Sequence, residues 1–211
     1  RGSIVGGRVM NSLRRLLLAF VLPLYLLDQV SKWLVVWNFS PPAPGSNFSQ
    51  ESHVVVEDFF TIVRVHNQGA AFGLGNGTPW APVVFFVIAV VALGALLHFW
   101  KRGAFDTLLL RLAAGLLTAG ILGNLTDRIL QGFVLPAYRE EGFLSRLSQG
   151  YVVDFLDFQI GLYGKLVPDS EGHWPSFNVA DSCICVAAFF LILSTFRSEA
   201  ASKGDKEQDE A

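Results

Sequence analysis

Charge is scarce in this chain. Only 16% of its 211 residues are Asp, Glu, Lys or Arg, against roughly 25% in soluble proteins. The 16 basic residues are scattered, mainly at the edges of apolar blocks, and the formal net charge is -2. No basic patch is present to follow a phosphate backbone, so a nucleic-acid partner is not expected. Cysteine is nearly missing as well. Cys183 and Cys185 are the whole supply, and two residues apart on a helix they point to different faces. They read as small residues of a helix core, and no disulfide framework is indicated. The four histidines, His53, His66, His98 and His173, show no metal-ligand spacing, and there is no H-E-x-x-H. A zinc protease is thereby disfavoured, and no metal or other cofactor is expected. No Ser-Lys or Ser-His pair stands out, since Ser182 stands beside Asp181 without an obvious base. Internal repeats are absent too. Arg1-Gly2-Ser3, with no leading Met, reads as an expression scar or a processed end.

Apolar residues are abundant. They make up 52% of the chain, with 18 Phe and 5 Trp, and the mean hydropathy is +0.44. They fall in blocks at about 16–37, 80–100, 107–125 and 177–196. Each is close to the ~20 residues that a helix needs to cross ~30 Å of hydrocarbon. The chain is therefore expected to be a mainly α, polytopic membrane protein, one membrane-embedded domain over 1–211 with four transmembrane helices. Between the first two blocks, 38–78 holds β-branched and aromatic runs, Val54-Val55-Val56 and Phe59 to Val65, that predict short strands in a small surface sheet. The long connection 129–176 is polar and aromatic, with an amphipathic segment expected around Val152–Phe155. The charged tail 198–211 is expected to be disordered. Arg8, Arg14, Arg15, Lys101, Arg102, Arg111, Arg197, Lys203 and Lys206 fall near one set of helix ends. The positive-inside rule then places both termini in the cytoplasm and 38–78 and 129–176 on the outer side. His98 reads as an interfacial residue beside Lys101 and Arg102.

This topology brings the unusual polar residues to one depth, near the outer membrane surface. Asp28 and Lys32, spaced i,i+4 on one helix face, lie in the outer half of the first span. The Asn67 turn, Asn67-Gln68-Gly69-Ala70-Ala71-Phe72-Gly73, follows the strands. The third span ends at Gly123-Asn124-Leu125-Thr126-Asp127-Arg128, with Gly115, Ala119, Gly120 and Gly123 allowing close helix approach. The fourth begins Asn178-Val179-Ala180-Asp181, with Asn178 a natural N-cap. An ionisable residue in a span is costly and marks a functional site by default.

The carboxylates available are Asp28, Asp127, Asp154 and Asp181. Two that share a proton would form a hydrolytic dyad, because like charges close together cannot both ionise. Spacing alone leaves any two of the four open. Plainer roles compete: an Asp28–Lys32 ion pair, an Asp127–Arg128 interfacial pair, and turn or cap duty for Asn67, Asn124 and Asn178. A small transporter would also explain intramembrane Asp and Lys, but it predicts inverted repeats and broken helices, and neither is seen. An intramembrane protease of another aspartic type would set the dyad on two spans, for instance Asp127 and Asp181.

Five short motifs occur in order. They are Asp28-Gln29-Val30-Ser31-Lys32; Asn67-Gln68-Gly69-Ala70-Ala71-Phe72; Gly120-x-x-Gly123-Asn124-x-x-Asp127-Arg128; Val152-Val153-Asp154-Phe155; and Phe177-Asn178-x-Ala180-Asp181. Together, on four spans, they resemble the bacterial lipoprotein signal peptidase family, also called signal peptidase II, over roughly residues 15 to 197. The resemblance implies an aspartic endopeptidase in the bacterial cytoplasmic (inner) membrane, its active site near the outer (periplasmic) face. Its substrates would be prolipoproteins carrying a diacylglyceryl group on a cysteine, cleaved just before that cysteine. It selects Asp154 and Asp181 as the catalytic pair. Asp28, Lys32, Asn67, Gly120, Asn124, Asp127, Arg128, Asn178 and Ala180 become residues supporting the site and the substrate. The outward strands would match the family's periplasmic β-cradle. The expected partners are lipidated prolipoproteins and membrane lipid, and the chain is expected to be a monomer. One departure stands out: Arg128 and Asp154 lie much farther apart than is usual for the family, and Phe133 to Ser148 looks inserted.

Overall fold

A computed structural model describes residues 13–43, 46–69, 75, 78 and 80–209, with side chains through Arg197 except at 137. Arg8, the 1–3 segment and residues 70–73 of the Asn67 turn lie outside the described residues.

Four helices are long and apolar enough to cross a membrane. The first, α1, covers Leu13–Asn38. Its turn Leu17–Val21 is π-helical, just ahead of Pro23. Proline has no N–H for the carbonyl one turn back, and such a local adjustment is a usual accommodation. The second, α2 (Ala81–Lys101), exposes most of its side chains past Ala81 and Pro82, as a lipid-facing helix should.

The third, α3 (Leu108–Val134), runs well past the expected end near 125. Hydropathy falls where Asn124, Asp127, Arg128 and Gln131 enter, but Asn124, Asp127 and Gln131 recur at helical spacing. Asp127 and Gln131 are buried, so the helix continues with a polar face turned inward. After it come a 3-10 turn (Pro136–Tyr138), the short helix α4 (Phe143–Ser148), strand β3 (Val152–Phe158) and the short helix α5 (Gly161–Leu166). The 129–176 connection is thus largely structured. The last helix, α6 (Val179–Asp209), continues to Asp209 where a disordered tail was expected. The tail's charge suggests disorder, but its Ala, Lys, Glu and Gln are also good helix formers.

Strands β1 (Phe48–Val56) and β2 (Phe60–Asn67) cover the two runs expected as short strands, and they pair as an antiparallel hairpin. The third strand comes from the other connection: β3 pairs antiparallel with β2, with Val65 opposite Asp154 and Asn67 opposite Val152. The Val152–Phe155 run is therefore the inner part of a strand and not an amphipathic surface segment. Its first four residues are buried. Val153 and Phe155 pack with Tyr151 against Val35 near the end of α1.

Inside the bundle α3 and α6 pack most extensively, with Ala113, Leu116, Cys183 and Ala187 between them. Cys183 is buried, Cys185 is exposed, and both are free thiols. Close approach depends on glycine at two positions. A Cβ on Gly120 would sit 2.5 Å from the Ala180 carbonyl oxygen of α6. One on Gly123 would overlap the Asp28 carboxylate of α1 and come within 3.1 Å of the Ala180 Cβ. The same stretch of α3 therefore admits both neighbours.

Candidate functional site

The polar residues of the three inner helices and of β2 and β3 meet where the sheet rests on the bundle. At the base is a closed ion cluster. Lys32 Nζ lies 2.9 Å from Asp28 Oδ2 and 3.1 Å from Asp127 Oδ2. All three side chains are essentially inaccessible. Their remaining valences are used. Asp28 Oδ1 accepts from the Ala180 backbone N–H at 2.8 Å, taking up one of the orphan donors at the start of α6. Asp127 Oδ2 accepts from the Val153 N–H at 3.0 Å, tying α3 to β3. Gln29 Nε2 lies between Asp28 Oδ2, the Gly123 carbonyl and Asp127 Oδ1 at 3.1–3.2 Å.

The expected Asp28–Lys32 pair is present, but it is part of a triad. The alternative Asp127–Arg128 pair is replaced: Asp127 turns to Lys32, and Arg128 donates to the Gln68 and Gly69 carbonyls at 3.2 and 2.7 Å. The reason is helical geometry, since neighbouring residues on a helix do not share a face. The Arg128 guanidinium also lies 5.1 Å from the Phe85 ring centroid.

Above this base stand the other two carboxylates. Asp154, on β3, is 2% exposed. Its Oδ2 accepts from Asn67 Nδ2 at 3.0 Å and its Oδ1 from Asn178 Nδ2 at 2.7 Å. Asp181, in the first turn of α6, is partly exposed. Its Oδ1 accepts from Asn124 Nδ2 at 2.8 Å. Asn178 and Asp181 form a reciprocal cap. The Asp181 N–H donates to Asn178 Oδ1 at 2.9 Å, and the Asn178 N–H donates to Asp181 Oδ2 at 3.2 Å. Asn124 Oδ1 accepts from Lys32 Nζ at 2.9 Å and from Asn178 Nδ2 at 3.2 Å, joining base and upper layer. Burial, with the Asp181 charge next in weight, holds the Asp154 carboxyl well above the usual carboxylate range.

The expected Asp, Asn and Lys site residues therefore meet in one cluster, with Arg128 at its edge on the Gln68 and Gly69 carbonyls and Gly120 and Ala180 at the α3–α6 contact beneath it. Four contributors were missed. Gln29 links two of the aspartates, and its sequence signal was an amide inside an apolar span. Arg64, His66 and Tyr151 form a second buried set. Arg64 Nε donates to His66 Nε2 at 3.0 Å, and Arg64 NH1 donates to the Val36 and Phe39 carbonyls at 3.0 and 2.6 Å. The His66 ring stacks on Tyr151 at 3.7 Å, and the Tyr151 hydroxyl donates to Gln131 Oε1 at 3.3 Å. Burial and the Arg64 charge lower His66 to about 3. This set fixes β2, and with it the neighbouring Asn67, against α1 and α3. Nothing in the spacing of these residues announces it. Among the described residues no group of His, Cys, Asp and Glu side chains is arranged to hold a metal ion.

Two carboxylates bridged by amides, one deeply buried and one partly exposed, have the chemistry for acid–base work on a water. Comparison with known proteins identifies the family. The family model described as signal peptidase (SPase) II matches residues 18–197. The lipoprotein signal peptidase of Nitratidesulfovibrio vulgaris (strain DP4) is 35% identical over 92% of this chain and 96% of its own length. That of Oleidesulfovibrio alaskensis is 36% identical, covering 82% of this chain and 90% of its own. That of Vibrio cholerae is 32% identical, over 90% of each. A solved bacterial membrane enzyme superposes with a TM-score of 0.63 at 27% identity, covering 86% of this chain and 87% of that one.

Proposed function

The chain belongs to the signal peptidase II family, and from that premise we propose that it is a membrane aspartic endopeptidase whose catalytic pair is Asp154 and Asp181. Its substrates are prolipoproteins already carrying a diacylglyceryl group on a cysteine, and it cleaves just before that cysteine. The observation that carries the reading is Asn178. Its side-chain amide donates to Asp154 while its backbone N–H donates to Asp181, so one residue holds both carboxylates. Asp28 and Asp127 fit poorly, because Lys32, Gln29 and backbone N–H groups already occupy them.

In the proposed reaction Asp154, the more buried acid, holds the shared proton and donates a hydrogen bond to the scissile carbonyl oxygen. Asp181 removes a proton from water as its oxygen attacks the carbonyl carbon. The tetrahedral intermediate collapses when a dyad proton passes to the amine nitrogen of the cysteine. The C–N bond breaks, leaving a signal-peptide carboxylate and a free amine. The two acid constants belong to the pair. Asn67, Asn124 and Asn178 orient the carboxylates, the Lys32 triad anchors Asn124, and Arg128 shapes the Gln68–Gly69 backbone.

The scissile bond lies near the outer face of the bacterial inner membrane, with both termini cytoplasmic and the lipid chains of the substrate in the bilayer. Asp154→Asn and Asp181→Asn each should lower cleavage of a lipidated precursor by at least about 10²-fold, the scale of a lost general acid or base, with thermal unfolding retained. The unlipidated precursor should be left uncut by the unmutated protein. Full activity in either variant would remove the dyad assignment.

A further inference from the structure

The segment after α3, residues 135–150, takes no part in the site. Its fold against the end of α3 is nevertheless well fixed. At ~1.5 Å per residue the 27 residues of α3 span about 40 Å, against ~30 Å of hydrocarbon. The last two turns of α3 thus reach the headgroup layer on the active-site side. In these turns Asp127 and Gln131 point inward while Ile129 and Leu130 are exposed on the opposite side.

The segment folds back along this end at close range. A Cβ on Gly132 would overlap the Arg146 carbonyl oxygen, and one on Gly150 would overlap that of Arg128. Arg146 NH2 donates to the Phe133 carbonyl at 2.6 Å, filling an acceptor that the end of α3 leaves open. Its guanidinium lies 4.6 Å from the Phe133 ring centroid. Phe133 in turn packs on Phe143 at 5.3 Å. Helix α4 is thereby pinned level with the last turn of α3. It leaves Phe143 68% and Leu144 77% exposed. Arg139, Glu140 and Glu141 precede it and are exposed as well.

We propose that α4 is a membrane anchor, with Phe143 and Leu144 seated in the headgroup–acyl boundary of the leaflet on the active-site side. Lipid is the occupant because this apolar tip continues the lipid-facing side of α3 through Phe133. Level with the last turn of α3, the tip would stand at the headgroup layer, where interfacial helices lie with their apolar face buried. A second copy of the chain is a poorer fit, since a stable interface needs about 800 Å² from each partner and the tip is two side chains. The anchor would fix the loop leading into β3, and so the approach to Asp154. It rests on the membrane-spanning character of α3 and does not depend on the peptidase reading.

The test uses the full chain in lipid vesicles, with Cys185→Ala to leave only the buried Cys183. An environment-sensitive fluorophore is attached at Leu144→Cys or, as the water-facing control, at Glu140→Cys. A protein without either added cysteine checks that Cys183 stays unlabelled. At Leu144→Cys the emission should be blue-shifted, quenched by nitroxide lipids labelled near the headgroup, and several-fold less sensitive to aqueous iodide than at Glu140→Cys. Equal iodide sensitivity at the two positions would overturn the anchor. So would protection at Leu144→Cys that arises only on adding lipidated precursor, which would make the tip a substrate contact. Protection that grows with protein-to-lipid ratio would make it a contact between copies and equally overturn it.

Discussion

Asp154 and His66 are two buried titratable groups on adjacent strands, and burial moves them in ways that oppose each other with pH. Asp154 is raised by burial and by Asp181, so the folded state binds its proton more tightly than the unfolded chain. Its contribution is full below the ordinary carboxylate value and is lost as pH rises through the raised one. His66 is lowered from 6.5 to about 3. Its neutral form accepts from Arg64, and its contribution is full above 6.5 and lost as pH falls toward 3. Between pH 6.5 and 4 the unmutated protein should therefore lose His66 stabilisation. The difference in unfolding midpoint between it and His66→Gln should shrink over that window, as followed by thermal scans at stepped pH. A difference independent of pH would show that His66 is not held neutral. At this scale the sequence was informative where a residue was out of place in its surroundings, as Asp28, Lys32 and Asp181 are in apolar spans. It was silent where the residue was ordinary for its segment. Arg64 and His66 lie in a strand whose neighbours are mixed, and only the folded pairing with β3 shows that they are buried.

Helix α3 carries the prediction at the scale of elements. At Gly123 the helix meets both neighbours at once, since a Cβ there would touch the Asp28 carboxylate of α1 and the Ala180 Cβ of α6. A methyl group there must displace the buried ion cluster or part the helices. Overpacking of this kind costs typically about 1–3 kcal/mol. Gly123→Ala should lower the unfolding midpoint and reduce activity together, whereas Gly94→Ala, where a Cβ meets nothing within 4 Å, should leave both unchanged. The number and order of the spans were readable from hydropathy, and the Gly120–Gly123 spacing announced close packing. The length of α3 was not readable that way. Hydropathy measures preference for lipid, and the end of α3 is buried in protein, where Asp127 and Gln131 are satisfied by Lys32 and Tyr151. Strand β3 escaped for a related reason: its partner β2 comes from a different connection, and sequence patterning in one segment does not reveal a pairing with another.

The whole molecule is asymmetric about the plane of its polar cluster. On one side Asp181 is partly exposed. On the other the Lys32 triad is sealed, and Ala113, Leu116, Cys183 and Ala187 form an apolar cluster between α3 and α6. If Asp154 and Asp181 act as proposed, the protons they take up or release should exchange on the Asp181 side, because the triad below them is closed. Reconstituted in vesicles with a pH difference across the bilayer, the peptidase should follow the pH on the Asp181 side and ignore the pH on the other. The cleavage rate of a lipidated precursor, measured while each side is titrated separately, checks this. Equal response to both sides would require a conducting path through the triad. The cluster that first reads as an expensive set of charges in a membrane is, on this account, an insulator. The pH on the sealed side of the membrane could then change without altering the protonation on which the proposed chemistry depends.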